Sequence, residues 1–258
     1  GVGVRAYPTF ESNNFVYIWM GDPSEADPAT ATTFDKLDAP GWSITKVHLD
    51  IKANYLLVID NLLDLSHVAY VHNTTIGNDP VAEDAEVKTE IRDTGIRVSR
   101  EMKDVEAART YREFGKFEDN FDRWQLSEFI LPGYFWINNG SEACGSRRNG
   151  PERLETMGEW GFQVFHGITP ETDRTTHQFW AVAHEDHMVA EDDREEFYRQ
   201  CHQVIMEDVE VYEAQQTALD SDPKGATAQD VQSSIMISYD EGLLKARRMI
   251  SKQMEAGA

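Results

Sequence analysis

The sequence contains few cysteines and no long apolar run. Its two cysteines, Cys144 and Cys201, form no CxxC pair, so cysteine alone builds neither a structural zinc site nor an iron–sulfur cluster, and we expect both thiols to be inert. No stretch reaches the roughly 18–20 apolar residues that cross a bilayer, and the start lacks a signal-peptide pattern. We therefore expect no membrane partner and a cytoplasmic location.

Basic residues are scarce relative to acidic ones. With 24 Lys and Arg against 46 Asp and Glu, the formal net charge of the 258 residues is −22. Because phosphate groups are bound by clustered Lys and Arg, this balance argues against DNA, RNA and anionic membranes as partners. The 40% hydrophobic and 27% charged residues are typical of an ordinary globular protein, and the length allows a sizeable core.

Apolar periodicity predicts an α+β fold. Strand-like segments rich in aromatic and β-branched residues, separated by short turns, favour one antiparallel sheet. Two amphipathic helices follow at residues 191–219 and 239–254, and an apolar helix at residues 55–71 precedes most of the strands. The predicted strands of the sheet cover residues 43–51, 86–91, 96–102, 124–131, 134–138, 159–168 and 175–184.

The stretch at residues 61–72, which covers the end of the apolar helix predicted at residues 55–71, carries one Asp and two His. Asp64, His67 and His72 each need a partner there, because burying an unpaired polar group costs about 1–3 kcal/mol. A metal ion would serve both histidines. Their spacing exceeds one helical turn, so we expect the helix to bulge, kink or end between them if both bind one ion. The alternative is an ordinary hydrogen-bonded core, and the spacing alone leaves the two interpretations even.

The long helix at residues 191–219 carries a third candidate ligand. Asp208 falls on its apolar face, whereas we predict Glu207, Glu210 and Glu213 to be solvated charges. An inward carboxylate needs a partner as much as the buried histidines do, and one cation would serve all three. The alternative is an ion pair with an Arg or a Lys.

Two histidines and one carboxylate with open coordination positions match the facial triad of non-haem Fe(II) oxygenases. Zinc hydrolases use the same set, so the ligands alone do not decide the metal. Zinc proteases place both histidines on one helix with a Glu between them, and that HExxH motif is absent from this sequence.

Several motifs carry a family resemblance. Residues 61–67 (NLLDLSH) followed by His72, together with Glu207 and Asp208 before residues 213–216 (EAQQ), resemble the catalytic domain of Rieske non-haem iron oxygenases. Within that family the chain is most similar to the vanillate O-demethylase and dicamba monooxygenase group. Residues 18–23 (IWMGDP) and 168–172 (ITPET) also resemble this group, so the resemblance covers nearly the whole chain.

The resemblance implies a helix-grip fold, in which an antiparallel sheet packs on a long C-terminal helix, and Fe(II) held by His67, His72 and Asp208. It also implies that Asp64 hydrogen-bonds a ligand histidine, which we take to be His67. Asp64 would then bridge to the Rieske cluster of a neighbouring subunit in a homotrimer. Asn61 is expected beside the iron without being a ligand.

The family's cluster-binding domain, with its Cys-x-His and Cys-x2-His pairs, does not occur in this sequence. Residues 1–25 resemble only the last strands of that domain, and residues 26–258 resemble the catalytic domain. Because the chain opens at Gly1 without a Met, we expect it to be a fragment. The [2Fe-2S] cluster is expected in the complete protein, with a reductase or ferredoxin as electron donor.

The resemblance implies an enzyme that uses Fe(II), O2 and supplied electrons to hydroxylate an aromatic substrate. The leading hypothesis is oxidative O-demethylation of a methoxylated aromatic acid. His166 lies at a position similar to that of a substrate-binding His of the group, and Phe135 and Asn138 are further pocket candidates. Two other functions stay open, namely a helix-grip binding module without catalysis and a zinc-dependent hydrolase.

Overall fold

A computed structural model of the chain describes residues 3–78, 86–146, 151–230 and 240–256. The chain divides into two compact units, Gly1–Trp42 and Ser43–Ala258. The predicted boundary at residue 25 comes from a sequence resemblance, which a division into compact units does not test. The assignment of residues 1–25 to the end of a cluster-binding domain therefore stays a prediction.

The smaller unit contains one β-hairpin, formed by β1 (Thr9–Ser12) and β2 (Phe15–Ile18). Asn13 and Asn14 turn the chain with φ of 51° and 62°, a conformation that a two-residue hairpin requires and that Asn tolerates. Asn13 Oδ1 accepts a hydrogen bond from the main-chain N–H of Phe34 at 2.8 Å. This side chain therefore ties the segment after the hairpin back to its turn.

The larger unit is built on a seven-stranded sheet. Its strands are β3 (Trp42–Ile51), β4 (Glu86–Arg92), β5 (Gly95–Val105), β6 (Phe121–Ile130), β7 (Tyr134–Ala143), β8 (Trp160–Thr172) and β9 (Thr175–Glu185). They lie in the order β3-β9-β8-β7-β6-β5-β4, and each pair from β4 with β5 to β8 with β9 is antiparallel. The prediction of an antiparallel sheet is confirmed.

β7 is longer than the strand predicted at residues 134–138. It continues to Ala143 through small and polar residues, which lack the aromatic and β-branched side chains that mark a strand in a sequence. Gly140 has a specific reason to be there, because a Cβ atom at this position would lie 2.2 Å from the indole of Trp124. The extension brings Asn139 into the sheet, next to the cavity described below.

Within residues 43–78, 86–146, 151–230 and 240–256, five α-helices accompany the sheet. They are α1 (Tyr55–Leu63), α2 (Val68–Val71), α3 (Arg109–Glu113), α4 (Arg194–Asp220) and α5 (Glu241–Ala256). The long C-terminal helix and the one after it are thus confirmed, although Tyr239, the predicted start of the latter, lies outside the described residues. Among the described helices, none is both long and apolar enough to span a bilayer.

The main core lies between the sheet and the helices. In α1, 7 of 9 residues are buried, so this helix has apolar side chains on all sides and needs neighbours all round. Fully burying one such Leu, Ile or Phe side chain contributes about 1.5–3 kcal/mol. The residues packed around α1 in this core include Ile51, Phe129, Phe135, Ile168, Val209, Tyr212, Ala246 and Ile250.

A buried ion pair joins α1 to α5. Arg247, whose side chain is 1% exposed, donates from Nε to Asp60 Oδ1 at 2.9 Å, and its Nη1 donates to the carbonyl oxygen of Ala228 at 2.6 Å. Burial raises the pKa of Asp60, and Arg247 opposes that effect. The pair therefore connects α1, which precedes His67 and His72 in the sequence, to α5.

We expect Arg247→Ala to lower the free energy of unfolding by about 3–5 kcal/mol, because it leaves the carboxylate of Asp60 buried without its cation. Urea denaturation measures the change. Arg248→Ala is the matched control, since Arg248 is exposed on the same helix and should stay within about 0.5 kcal/mol of the parent. Equal losses in both variants would contradict a special role for the pair.

Candidate metal centre

The segment that carries the two histidines is two short helical pieces rather than one helix. α1 ends at Leu63, and Asp64 has the non-helical angles φ −88° and ψ 93°. Asp64 Oδ1 then accepts from the main-chain N–H of Ser66 at 2.8 Å, which caps a 3₁₀ turn over Leu65–His67. α2 follows and ends at Val71, before His72, as the spacing predicts, but the earlier break at Asp64 is a difference from the single predicted helix.

Buried side chains on the sheet donate hydrogen bonds to main-chain carbonyl oxygens of this segment and of the residues just after it. The donors are two arginines and one serine on β5 and β6. Hydrogen bonds from charged donors contribute about 1.5–3 kcal/mol each, so the backbone of the segment is fixed before any ligand binds. The three bonds run from Arg100 Nη1 to Leu65 O (2.6 Å), from Arg123 Nη1 to Ile76 O (2.7 Å) and from Ser127 Oγ to Leu62 O (2.7 Å).

The side chains of His67, His72 and Asp208 meet at one point, although Asp208 comes from α4. His67 Nε2 lies 3.2 Å from His72 Nε2 and 3.3 Å from Asp208 Oδ1. His72 Nε2 lies 3.2 Å from the same carboxylate oxygen. The side chain of His72 is 2% exposed and that of Asp208 8%, so the group is closed to bulk water on most sides.

Partners on the far side of each ring assign the protons. His67 Nδ1 contacts the main-chain carbonyl oxygen of Asp64, and His72 Nδ1 lies 2.8 Å from Glu207 Oε2. Both partners are acceptors, so each Nδ1 donates its hydrogen outward, and a ring without a second hydrogen presents an unprotonated Nε2 to the inside. Asp208 Oδ1 is an acceptor too. Three lone pairs therefore point into the same small volume.

This arrangement fits a divalent transition metal. Within the described part of the chain, Asp208 Oδ1 is buried and has no hydrogen-bond donor. Separations of 3.2–3.3 Å are those of neighbouring ligand atoms on one ion with bonds of about 2.0–2.2 Å. Two imidazole nitrogens and one carboxylate oxygen suit Fe(II) and also Zn(II). These residues are therefore able to hold the predicted metal, and their role as ligands stays a prediction.

The electrostatics favour a cation at this point. Burial raises the pKa of the Asp208 carboxyl, but the two neighbouring imidazoles lower it by more, so the net pKa lies well below its ordinary value. Burial lowers the pKa of His72, and Asp208 and Glu207 raise it by more. The first shift favours the negative form of Asp208, and the second favours a positive charge beside it, which a bound metal ion would also supply.

Glu207 corrects the prediction that it is a solvated charge. Its Oε2 binds His72 Nδ1, and its Oε1 accepts from Gln203 Nε2 at 2.8 Å, so it is held on both sides. Glu213 differs as well, because it accepts from the main-chain N–H of Lys52 at 2.9 Å. Glu210 is exposed as predicted. A helical wheel places Glu207 beside the apolar face, and only the fold shows that His72 lies there.

The metal group lines one part of a mostly apolar cavity of about 90 Å³. Burial raises the pKa of Cys201, which also faces the cavity, so its thiol stays protonated. No Lys or Arg occurs among the described residues that line it. The remaining walls are Leu62, Leu65, Val68, Ile76, Gln125, Ile137, Asn139, Phe162, Val164, His166, Trp180, Val182, Val204 and Ile205.

The three predicted substrate contacts are placed differently. His166 lines the cavity and is 2% exposed. Phe135 belongs to the core and meets His166 edge to face, with ring centroids 6.3 Å apart. Asn138 is a correction, because its amide donates to the carbonyl oxygens of Leu154 (2.9 Å) and Thr156 (2.6 Å), away from the cavity. Side chains alternate along a strand, and it is the next residue, Asn139, that faces inward.

Asp64 and Asn61 do not contact the metal group through their side chains in the way the resemblance implies. His67 is bonded by the main-chain carbonyl of Asp64, while the carboxylate of Asp64 caps the turn at Ser66. Asn61 is buried in α1, and within the described residues its Nδ2 has no acceptor. Neither side chain lines the cavity.

A second group of ligand-type side chains lies on the surface, across β3 and β9. His48 Nε2 and His177 Nδ1 are 3.1 Å apart, and Asp50 Oδ1 lies 3.0 Å from His177 Nδ1. His48 and Asp50 are exposed, and groups of this kind are common without a metal. This surface group is therefore an alternative metal position with which metal binding at the buried group can be compared.

Comparisons with known proteins identify the family of this chain. Residues 51–256 match the family described as the vanillate O-demethylase oxygenase C-terminal domain. Among curated proteins, the chain is 30% identical over 262 residues to a vanillate O-demethylase oxygenase subunit of a Pseudomonas species, covering 98% of the chain and 75% of that protein. It is 29% identical over 255 residues to a toluene-4-sulfonate monooxygenase iron-sulfur subunit of Comamonas testosteroni, covering 98% and 71%.

Solved structures show the same fold. Dicamba monooxygenase bound to 3,6-dichlorosalicylic acid superposes with a TM-score of 0.82 at 22% identity, covering 98% of this chain and 72% of that one. The structure with dicamba bound gives a TM-score of 0.80 over 98% and 71%. The helix-grip arrangement predicted from the sequence is thus confirmed.

We expect Glu207→Gln to weaken metal binding about 10–100-fold, because the amide does not hold the Nδ1 proton of His72 as the carboxylate does. Anaerobic titration of the metal-free protein with Fe(II), followed by calorimetry, measures the dissociation constant. Glu210→Gln is the matched control on the exposed side of α4 and should bind like the parent. A Glu207→Gln protein with parental affinity would show that this carboxylate does not support the centre.

Proposed function

Because this chain belongs to the vanillate O-demethylase oxygenase C-terminal domain family, we propose that it is the catalytic part of a terminal oxygenase that hydroxylates an aromatic substrate. The reaction we favour is oxidative O-demethylation of a methoxylated aromatic acid. What supports this most directly is the convergence of His67 Nε2, His72 Nε2 and Asp208 Oδ1 at the wall of a mostly apolar cavity.

We propose that these three residues hold one Fe(II) ion. Two histidines and one carboxylate on one side of the ion leave its other positions open, as in the facial triad of non-haem iron oxygenases. Zinc would fit the same atoms. Iron is favoured because the relatives are named as oxygenase components and not as hydrolases.

The overall reaction balances as an oxygenation. When bound, Fe(II) would activate O2 with two externally supplied electrons, so that one oxygen atom enters the substrate and the other leaves as water. Hydroxylation of a methoxy carbon, with two protons taken up, gives a hemiacetal. That hemiacetal breaks its C–O bond to release formaldehyde and the free phenol.

The residues of this chain contribute position and exclusion of water. The apolar walls, including Ile137, Val164 and Trp180, desolvate the ring of the substrate. Glu207 and the carbonyl of Asp64 fix the two imidazoles, so their Nε2 atoms stay directed inward. His166 offers a polar contact in the same cavity.

Electrons would come from a reductase or ferredoxin through a [2Fe-2S] cluster. We propose that the cluster of a neighbouring subunit delivers them, in a homotrimer, through the region of Asp64. The carboxylate of Asp64 is only partly buried and sits one turn from His67, which is compatible with such a bridge. The segment at residues 1–25 would then be the end of the cluster domain in the same chain.

We expect formaldehyde release from methoxybenzoates when the protein is assayed together with its cluster domain and a reductase. A panel of methoxybenzoates and methoxyphenols, with formaldehyde and O2 both measured, identifies the substrate. Equal amounts of formaldehyde and consumed O2 are the expected result. No formaldehyde and no substrate-dependent O2 uptake across the panel would contradict O-demethylation.

Two substitutions separate binding of iron from delivery of electrons. Asp208→Ala should lose iron, because it removes one of the three ligand atoms, whereas Asp64→Asn should keep iron and lose most turnover. Metal analysis after anaerobic loading and single-turnover assays measure the two properties. Loss of iron from both variants would make Asp64 part of the ligand set or of its fold.

A further inference from the structure

A chain of hydrogen bonds runs from α4 through β9 to the cavity. The hydroxyl of Tyr212 lies 2.8 Å from Gln178 Oε1, and Gln178 Nε2 lies 3.0 Å from His166 Nδ1. The side chains are fully or almost fully enclosed, with Tyr212 and Gln178 at 0% and His166 at 2% exposure. Buried polar groups in such a chain constrain one another, because each donor needs an acceptor.

The hydroxyl of Tyr212 determines which group donates and which accepts in each of these hydrogen bonds. Among the described residues, Gln178 is the only hydrogen-bond partner of the Tyr212 hydroxyl, so the hydroxyl hydrogen has no other acceptor. Tyr212 therefore donates to Gln178 Oε1, and the amide of Gln178 donates to His166 Nδ1. Reversing the amide would leave the hydroxyl hydrogen of Tyr212 buried without an acceptor, which costs about 1–3 kcal/mol.

The other nitrogen of His166 consequently carries the hydrogen. Burial lowers the pKa of His166 to about 4, against a smaller opposing effect of Asp208, so the ring is neutral near pH 7. A neutral imidazole that accepts at Nδ1 donates at Nε2. Within the described residues no protein group takes that hydrogen, and His166 lines the cavity.

We propose that Tyr212 and Gln178 are positioning residues that fix His166 as an uncharged Nε2–H donor, which recognises an acceptor oxygen of the substrate. Carboxylate, sulfonate and carbonyl oxygens share this chemistry. No Lys or Arg is found among the described cavity residues, so uncharged donors would recognise such a group, and the Nε2–H of His166 is one of them beside the amides of Gln125 and Asn139. The inference rests on the proposed function, whose substrate class it narrows.

Helix α4 links this donor to the metal centre. Asp208 and Tyr212 are four residues apart, so they occupy the same face of the helix on successive turns. The same helix thus positions the carboxylate of Asp208 and the hydroxyl of Tyr212, which is the first donor of the hydrogen-bond chain. His166 itself lies on β8, so α4 holds Asp208 and the first residue of the hydrogen-bond chain, while the sheet holds His166.

The tautomer of His166 is the direct test, and it does not require turnover. Nitrogen-15 NMR of histidine-labelled, zinc-loaded protein distinguishes a protonated from an unprotonated ring nitrogen, and zinc avoids paramagnetic broadening. His166→Phe assigns the signals by their loss. We expect an unprotonated Nδ1 and a protonated Nε2 at pH 7. A protonated Nδ1 in the parent would overturn the proposal.

Variants test whether the hydrogen bonds from Tyr212 and Gln178 determine which ring nitrogen of His166 is protonated. Gln178→Glu replaces the amide donor with an acceptor of the same shape, so Nδ1 should become protonated. Tyr212→Phe frees the amide to turn over, so a mixture of both tautomers should appear. Tyr198→Phe is the matched control, because its hydroxyl lies 3.2 Å from Nε2 of a different buried histidine, His184. An unchanged His166 spectrum in both test variants would overturn the proposal.

Kinetics then test the role in recognition. With the methoxybenzoate that releases formaldehyde fastest, Gln178→Glu should raise KM about 3–10-fold, the loss expected for one neutral hydrogen bond, because Nε2 then lacks its hydrogen, with kcat within about two-fold of the parent. A fall in kcat at unchanged KM would contradict recognition. If no methoxybenzoate reacts, the NMR result still decides whether the chain fixes the proton, so the two failures are distinguishable.

Discussion

Three lone pairs that point at one another are the constraint on which this structure depends. His67 Nε2, His72 Nε2 and Asp208 Oδ1 lie 3.2–3.3 Å apart in a mostly buried volume. Each of these atoms is a hydrogen-bond acceptor. Without a cation or added protons, repulsion between their lone pairs would therefore push the three side chains apart. The acceptors behind the rings prevent either histidine from turning its N–H inward. A bound cation therefore converts a destabilising group into a stabilising one.

The fold keeps this group together by fixing main chain as well as side chains. The break at Asp64 redirects the segment, and Arg100 and Arg123 hold its carbonyl oxygens at Leu65 and Ile76. α4 brings Asp208 from the far end of the sequence against it. A divided segment held by buried arginines on one side and one long helix on the other gives the centre its geometry, and the cavity forms between them.

The sequence predicts the three side chains that the fold brings together, because burial of ionisable groups is visible in apolar periodicity. His67, His72 and Asp208 stand out for that reason, and the antiparallel sheet follows from short turns between strand-like segments. Other features are not visible in this way. Glu207 looks like one of several surface acids until the fold brings His72 beside it, and Asn138 and Asn139 differ only in strand register. The chain from Tyr212 through Gln178 to His166 joins three elements and has no local signature.

The central claim is that one metal ion binds between His67, His72 and Asp208. Its most direct test is an anomalous difference map, recorded at the iron absorption edge, from crystals of the protein loaded anaerobically with one equivalent of Fe(II). We predict a single peak about equally distant from His67 Nε2, His72 Nε2 and Asp208 Oδ1. A peak at the surface group of His48, Asp50 and His177, with none at the buried group, would contradict the account.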